Sequence, residues 1–190
     1  MDIINEIKES IKVKEKLLLD SEIVKKINSL AEDCLESIKS GGKIIFAGNG
    51  GSFADSQHLT AEFVSRLRFD RSPLPSIALG TNSSSMSAIG NDYGYENVFK
   101  REIISLGSKE DIFIPITTSG NSLNIILAIE EARKNGIKTV VLTGNDGGKV
   151  KLITDCIIVP SSRTERIQEC HILIGHIICG IVEKKFFKNN

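Results

Sequence analysis

Three histidines occur in this chain of 190 residues: His58, His171 and His176. His58 stands four residues before Glu62, and on a helix that spacing brings both side chains to one face. An imidazole and a carboxylate so placed can move protons or hold a metal ion. The spacing by itself more often marks a solvated His/Glu pair. His176 falls in an apolar stretch, where a lone histidine is more often a satisfied core residue, and His171 is the spare candidate. Gln168 lies eight residues before His176, about 80° away around a helix. Those two share a site only if a ligand sits between their directions.

Two loops offer something for such groups to act on. Gly48-Asn49-Gly50-Gly51-Ser52 precedes the stretch that carries His58 and Glu62. Its glycines let the backbone approach a ligand closely, and a helix beginning there presents free N–H groups and a partial positive charge to an anion. A tight turn with Ser52 as N-cap is the bland alternative. Thr117-Thr118-Ser119-Gly120-Asn121-Ser122 places four hydroxyls in six residues. Hydroxyls and backbone amides together can ring a phosphate without a lysine; the alternative is a polar turn capped by Ser122. No GxxxxGK[ST] and no GxGxxG is present, which argues against a nucleotide triphosphatase and against a dinucleotide fold. A third loop, Thr143-Gly144-Asn145-Asp146-Gly147-Gly148, reads as a turn.

The elements that must position these groups are legible from periodicity. Ile3, Ile4, Ile7 and Ile11 recur at helical spacing, as do Ile23, Ile27, Leu30, Ala31 and Cys34. Asp20-Ser21 marks a bend or cap between two helices, and Gly41-Gly42 stops the second. Short apolar runs at 43–47, 76–79, 111–116, 138–142 and 156–159 then alternate with helical stretches at 52–67, 95–106 and 122–135. Strands with little alternation are covered on both faces, so the order predicts a doubly wound α/β sheet. A last helix, about 164–187, carries Ile167, Ile172, Leu173, Ile174, Ile177, Ile178, Ile181 and Val182. It is apolar nearly all round, which predicts burial, here against other subunits. One domain spans 1–190, with a helical segment at 1–40 and an α/β core at 43–188.

Composition narrows the function classes. Lys plus Arg is 24 and Asp plus Glu is 24, so no net charge draws the chain to nucleic acid or anionic lipid. Lys184, Lys185 and Lys188 form a small basic cluster, read as a solvated helix end. Cys34, Cys156, Cys170 and Cys179 lack CxxC spacing and read as buried reduced thiols. The charged start predicts no secretory signal, and no apolar run reaches the length of a membrane span. A soluble, cytoplasmic protein is expected.

Taken in order, these motifs resemble the phosphoheptose isomerases of the sugar-isomerase (SIS) domain group. The likeness runs from about Lys43 to Glu183. It rests on residues 48–52, Asp55-Ser56-Gln57-His58, Ala61-Glu62 and Asn91-Asp92-Tyr93-Gly94. It continues through Thr118–Ser122, Leu142-Thr143-Gly144, Asp146-Gly147-Gly148, and Arg166-Ile167-Gln168-Glu169-Cys170-His171 to Gly175-His176. The resemblance implies an α/β fold of three layers, a doubly wound five-stranded parallel sheet (the SIS domain) with N-terminal helices. It implies a homotetramer with active sites at subunit contacts, in which His176 reaches a neighbour's Glu62. The reaction implied is the isomerisation of D-sedoheptulose 7-phosphate to D-glycero-D-manno-heptose 7-phosphate through an ene-diol. That is the first step toward nucleotide-activated heptose for lipopolysaccharide, capsule or another surface glycan.

By the same resemblance, substrate contacts fall at Asn49, Gly50, Gly51, Ser52, Glu62, Asn91, Asp92, Thr117, Thr118, Ser119, Ser122 and Gln168. Glu62 and His176 are the proton-transfer pair. His58, Glu62, Gln168 and His176 hold one zinc ion per subunit. Three positions depart from the family pattern: Thr117 stands where serine is usual, Glu165 replaces an aspartate, and Gly80-Thr81-Asn82-Ser83-Ser84 lacks the customary Thr-Asp. Two rivals keep the fold without the chemistry: a relative that associates with a replication initiator, and a sugar-phosphate sensor. Neither needs Glu62 together with His176, so the presence of both favours the enzyme.

Overall fold

The structure is a computed structural model that describes residues 2–188, and of Lys188 the backbone only. The chain opens with α1 (Ile3–Leu19), capped by the Asp2 carboxylate, which accepts from the Ile4 amide. Asp20 ends α1 and caps α2 (Ser21–Lys39), accepting from the amides of Glu22 and Ile23. One acidic residue thus serves as both stop and start, as the Asp20-Ser21 bend predicts. There follow β1 (Ile44–Gly48), α3 (Gly51–Val64), β2 (Ser76–Ala78), α4 (Ser83–Tyr93) and a 3-10 turn (Tyr95–Asn97). The chain continues through α5 (Val98–Leu106), β3 (Ile112–Thr117), α6 (Leu123–Lys134) and β4 (Lys138–Gly144). After a second 3-10 turn (Lys149–Leu152) come β5 (Asp155–Val159) and α7 (Thr164–Lys188).

The five strands are all parallel, in the order β2-β1-β3-β4-β5. Alternate strand residues feed two cores. Ile44, Phe46, Ile112, Ile114, Ile116, Leu142 and Ile157 pack against α1, α2, α3 and α7. Ile45, Ala47, Phe113 and Val141 pack against α5 and α6. This is the three-layer, doubly wound arrangement expected from the sequence. In this strand order the connections diverge between β1 and β3, and the crevice outside the carboxyl ends of those strands is where such sheets bind ligands. Residues 48–52 and 117–122 leave the sheet at that point.

Three local differences from the sequence expectation have physical reasons. Helix α4 occupies a polar segment to which periodicity assigns no element; its serines are weak helix formers, yet the Asn82 side chain caps it by accepting from the Ser85 amide. The stretch at 95–106 is a 3-10 turn (Tyr95–Asn97) followed by α5, and Gly94 with φ 87° separates it from α4. The apolar surface of α7 is used chiefly inside its own chain: Ile167, Ile174, Ile178 and Val182 are buried there, while Leu173 and Ile177 remain exposed. Ile3, Ile4, Ile7 and Ile11 of α1 are exposed as well.

All four cysteines are buried and unpaired, as expected. Within the basic cluster Lys185 pairs with Glu32, and the side chain of Lys188 lies outside the described residues. No helix among the described residues is long and apolar enough to cross a membrane.

Candidate active site

Three helix N-termini meet one cavity. It has a volume of about 310 Å³ and is lined by Asn49, Gly50, Gly51, Ser52, Ile116, Thr117, Thr118, Ser122, Thr164 and Gln168. Helix α3 starts at Gly51 behind Gly50, whose φ of 55° stands in for an ordinary cap, and no side chain caps it. Ser52 is therefore not the N-cap; it sits buried in the first turn. Helix α6 starts behind Ser122, again without a side-chain cap. The Ser122 Oγ instead lies 3.4 Å from Thr117 Oγ1. Thr164 is the first residue of α7. Orphan amides at uncapped N-termini, helix dipoles of one sign and a rim of hydroxyls suit an anion of phosphate type.

Glycine at position 51 leaves room for the Gln168 side chain. A Cβ there would lie 2.5 Å from Gln168 Nε2, so the bare backbone lets α7 come up to the loop. Asn49 is held rigidly: its amide and that of Asn124 bond reciprocally at 2.9 Å in both directions. Tyr95 donates its hydroxyl to Asn49 Oδ1 at 3.1 Å. Asn124, Tyr95 and Thr164 escaped sequence reasoning. Asn124 had a signal, a lone polar residue inside the apolar run 123–129; Tyr95 had only its position after the Asn91–Gly94 landmark.

Beyond the cavity, α3 and α7 run side by side and bring their reactive groups together. His58 Nε2 lies 2.9 Å from His176 Nε2 and 3.2 Å from Glu62 Oε1. The rings meet edge to face, with centroids 5.0 Å apart. Each of the three residues offers a ligand atom within 4.8 Å of the others. His176, which the sequence alone reads as an ordinary core residue, therefore faces α3. It meets Glu62 within one chain; no neighbour's Glu62 is needed to bring the pair together. Two imidazole nitrogens and a carboxylate oxygen are a donor set that zinc accepts. Two Nε2 atoms at 2.9 Å also cannot both carry protons, so one donates to the other or both turn lone pairs on a cation.

Gln168 lines the cavity and touches Gly51. Ser119 is exposed, its Oγ accepting from the Asn121 amide. Asn91 and Asp92 lie on α4 around a separate open depression with Ser83, Ser84, Ser87 and Ala88, and are bonded to each other at 2.8 Å. They do not line the loop cavity. The third loop and the 3-10 turn after it form a buttress: the Gly144 amide donates to Thr118 O, the Lys149 amide to Asn121 Oδ1 and the Val150 amide to Gly120 O. Glu165 pairs with Arg163, which also engages Glu6 and Glu9 of α1.

The electrostatics separate the histidines. His171 is fully buried, with Nε2 3.0 Å from Thr143 O. Burial pushes its pKa down to about 4, against the opposing pull of the Thr143 bond, so it is neutral and belongs to the core. One turn before His58, Asp55 has a buried oxygen without a partner. Burial raises its pKa to about 6, and the nearby His58 draws it back.

Comparison with known proteins agrees with this geometry. The SIS domain family model matches residues 9–144. Phosphoheptose isomerase of Aneurinibacillus thermoaerophilus is 53% identical over 184 residues, covering 96% of this chain and 93% of that protein. The phosphoheptose isomerase of Clostridium acetobutylicum is 50% identical over 183 residues, with 96% and 93% covered. The solved structure of phosphoheptose isomerase from Neisseria gonorrhoeae superposes with a TM-score of 0.89 at 37% identity, covering 96% of this chain and 97% of its own. With the SIS model matched, about half of the residues identical over nearly the whole length and the fold superposed, the chain belongs to the phosphoheptose isomerase family of SIS-domain proteins.

Proposed function

We propose that this enzyme isomerises D-sedoheptulose 7-phosphate to D-glycero-D-manno-heptose 7-phosphate. One observation carries the reading: α3 and α7 each contribute to the anion cavity at one end and to the His58/Glu62/His176 cluster farther along. From Gly51 to His58, and from Gln168 to His176, the rise is about 10–12 Å. A phosphate in the cavity therefore leaves the carbonyl end of an open-chain sugar beside the cluster.

The chain's own groups account for the transfers. Thr117, Thr118, Ser122 and the amides of Gly50 and Gly51 bind the phosphate, with Ser52 beneath them, its amide donating to Asn49 O, and Ser119 at the loop's outer edge. Asn49 and Gln168 contact the carbon chain; the resemblance adds Asn91 and Asp92, which line a depression of their own on α4. Of Glu62 and His176, one takes the proton from C1 of the ketose while the C2 oxygen is protonated. The ene-diol that results receives a proton at C2 and loses one from the C1 oxygen, which yields the aldose. His58, Glu62 and His176, with Gln168, would hold one zinc ion per subunit. Bound there, zinc supplies Lewis-acid stabilisation of negative charge on oxygen.

The exposed isoleucines of α1 and the outward Leu173 and Ile177 support assembly, which we read as a homotetramer with sites near subunit contacts. The reading places the enzyme in the cytoplasm with its phosphorylated substrate, at the first step toward nucleotide-activated heptose for a surface glycan. Incubation with sedoheptulose 7-phosphate, followed by detection of the aldose, tests the reaction. Full recovery of the ketose with metal-loaded, folded protein would refute it.

A further inference from the structure

From the geometry we infer that Arg71 and Glu183 are positioning residues for the reactive cluster, setting how α3 and α7 meet. The inference rests on the isomerase reading of that cluster.

Glu183 lies seven residues beyond His176 on α7. Seven residues are nearly two turns, so the two side chains share one stripe of the helix, about 10 Å apart. His176 on that stripe meets His58 at 2.9 Å. Glu183 on the same stripe meets the chain that leaves α3. Its Oε1 accepts from the Leu67 amide at 3.0 Å and from Arg71 Nε at 3.1 Å. Its Oε2 accepts from the Arg68 amide at 3.0 Å.

Arg71 completes the grip on α3. One terminal nitrogen donates to Phe63 O at 2.6 Å and to Ser72 O at 3.0 Å. The other donates to the backbone carbonyl of Glu62 at 2.7 Å. The Glu62 and Phe63 carbonyls lie in the last turn of α3 and have no helical partners because the helix ends at Val64. The side chains of Arg71 and Glu183 are 2% and 1% exposed, so the pair is dry and its geometry fixed. Between the clamp and the cluster the two helices touch closely: a Cβ on Gly175 would lie 2.4 Å from Leu59 Cδ2. Glu62 is thus tied through its own carbonyl, across Arg71, to the helix that carries His176.

A buried ion pair does not by itself stabilise a fold, but this one joins the two elements whose separation decides whether three ligand atoms converge. Outer groups that orient ligands typically change metal affinity or turnover by 10- to 100-fold. The phosphate cavity lies at the other end of both helices, so it is spared.

The experiment uses the full-length protein and its Glu183→Gln, Glu183→Asp and Arg71→Lys variants. Co²⁺ affinity is measured by titration, inorganic phosphate affinity by calorimetry, and kcat and KM with sedoheptulose 7-phosphate. Glu183→Gln should stay folded by circular dichroism and bind phosphate within about twofold of wild type. It should lose about 10- to 100-fold in Co²⁺ affinity and in kcat, and Glu183→Asp should recover part of the loss. Wild-type Co²⁺ affinity and kcat in a folded Glu183→Gln protein overturn the inference. So does an equal loss of phosphate and Co²⁺ binding, which marks general loosening. Should Glu183→Gln not fold, Arg71→Lys carries the test by the same readouts; it keeps the charge beside Glu183 but cannot span Glu62 O and Phe63 O together. A wild-type protein that binds Co²⁺ yet leaves sedoheptulose 7-phosphate unchanged sinks the isomerase reading alone.

Discussion

His58 Nε2 lies between His176 Nε2, at 2.9 Å, and Glu62 Oε1, at 3.2 Å. A single imidazole nitrogen is therefore shared by the two groups assigned to proton transfer, one from each of two packed helices.

Among the described residues the Glu62 carboxylate has one ion-pair partner, His58, so its charge contributes little to folding. Glu62→Gln should melt within a few degrees of wild type and lose about 10²- to 10⁴-fold in kcat. A rate assay beside a thermal melt checks this. A folded variant with unimpaired turnover would remove Glu62 from the chemistry.

The Thr117 and Ser122 hydroxyls lie 3.4 Å apart on the cavity rim. Thr117→Val keeps the shape of a residue that is only 4% exposed and deletes the donor. Hydrogen bonds to a charged partner contribute about 1.5–3 kcal/mol. The expected result is a KM for the phosphorylated sugar raised about tenfold or more, with kcat little changed. Inorganic phosphate should inhibit the variant correspondingly less.

Tyr95 is exposed, and its hydroxyl reaches Asn49 from outside the Gly-rich loop. Tyr95→Phe removes one neutral hydrogen bond, about 0.5–1.5 kcal/mol. Steady-state kinetics should show KM raised between about two- and tenfold. An unchanged KM would mean that the Asn49–Asn124 pair holds the loop unaided.

His171 gives a pH prediction. Its pKa is lowered from 6.5 to about 4. The unfolded chain therefore binds the extra proton first as pH falls, and stability is lost between about pH 6.5 and 4, on the order of 3 kcal/mol in all. Asp55, raised to about 6, works in the opposite sense between its ordinary pKa and that value and mutes the wild-type profile. Denaturant melts from pH 7 to 4 should show that His171→Gln, less stable at pH 7, loses less than wild type over the same range. Parallel profiles would contradict the assignment.

Particular residues show what was legible in advance. Residues 48–52 and 117–122 could be read because each follows an apolar strand and opens a helix, a local pattern. His58 and Glu62 could be paired because four residues is a helical repeat. Spacing alone could not separate His176 from His171, and the resemblance is what pointed to His176: both lie on an apolar helix, and only the packing of α3 against α7 decides which imidazole faces the cluster. Helix α4 was hidden because its serines favour turns and only the Asn82 cap announced it. The Arg71–Glu183 pair and the Tyr95–Asn49 bond join residues remote in sequence, and no periodicity reports such meetings.

Helix α7 begins at the loop cavity, where the proposed reading seats the phosphate, with Thr164 and Gln168, and passes His176 about two turns after Gln168. Anchoring and reactivity are thus geared to one shaft: any shift along its axis moves both ends by the same amount. A substrate longer or shorter by one carbon cannot be accommodated by sliding this helix. A change of sugar length in evolution or in the laboratory has to come from the loops that α7 faces.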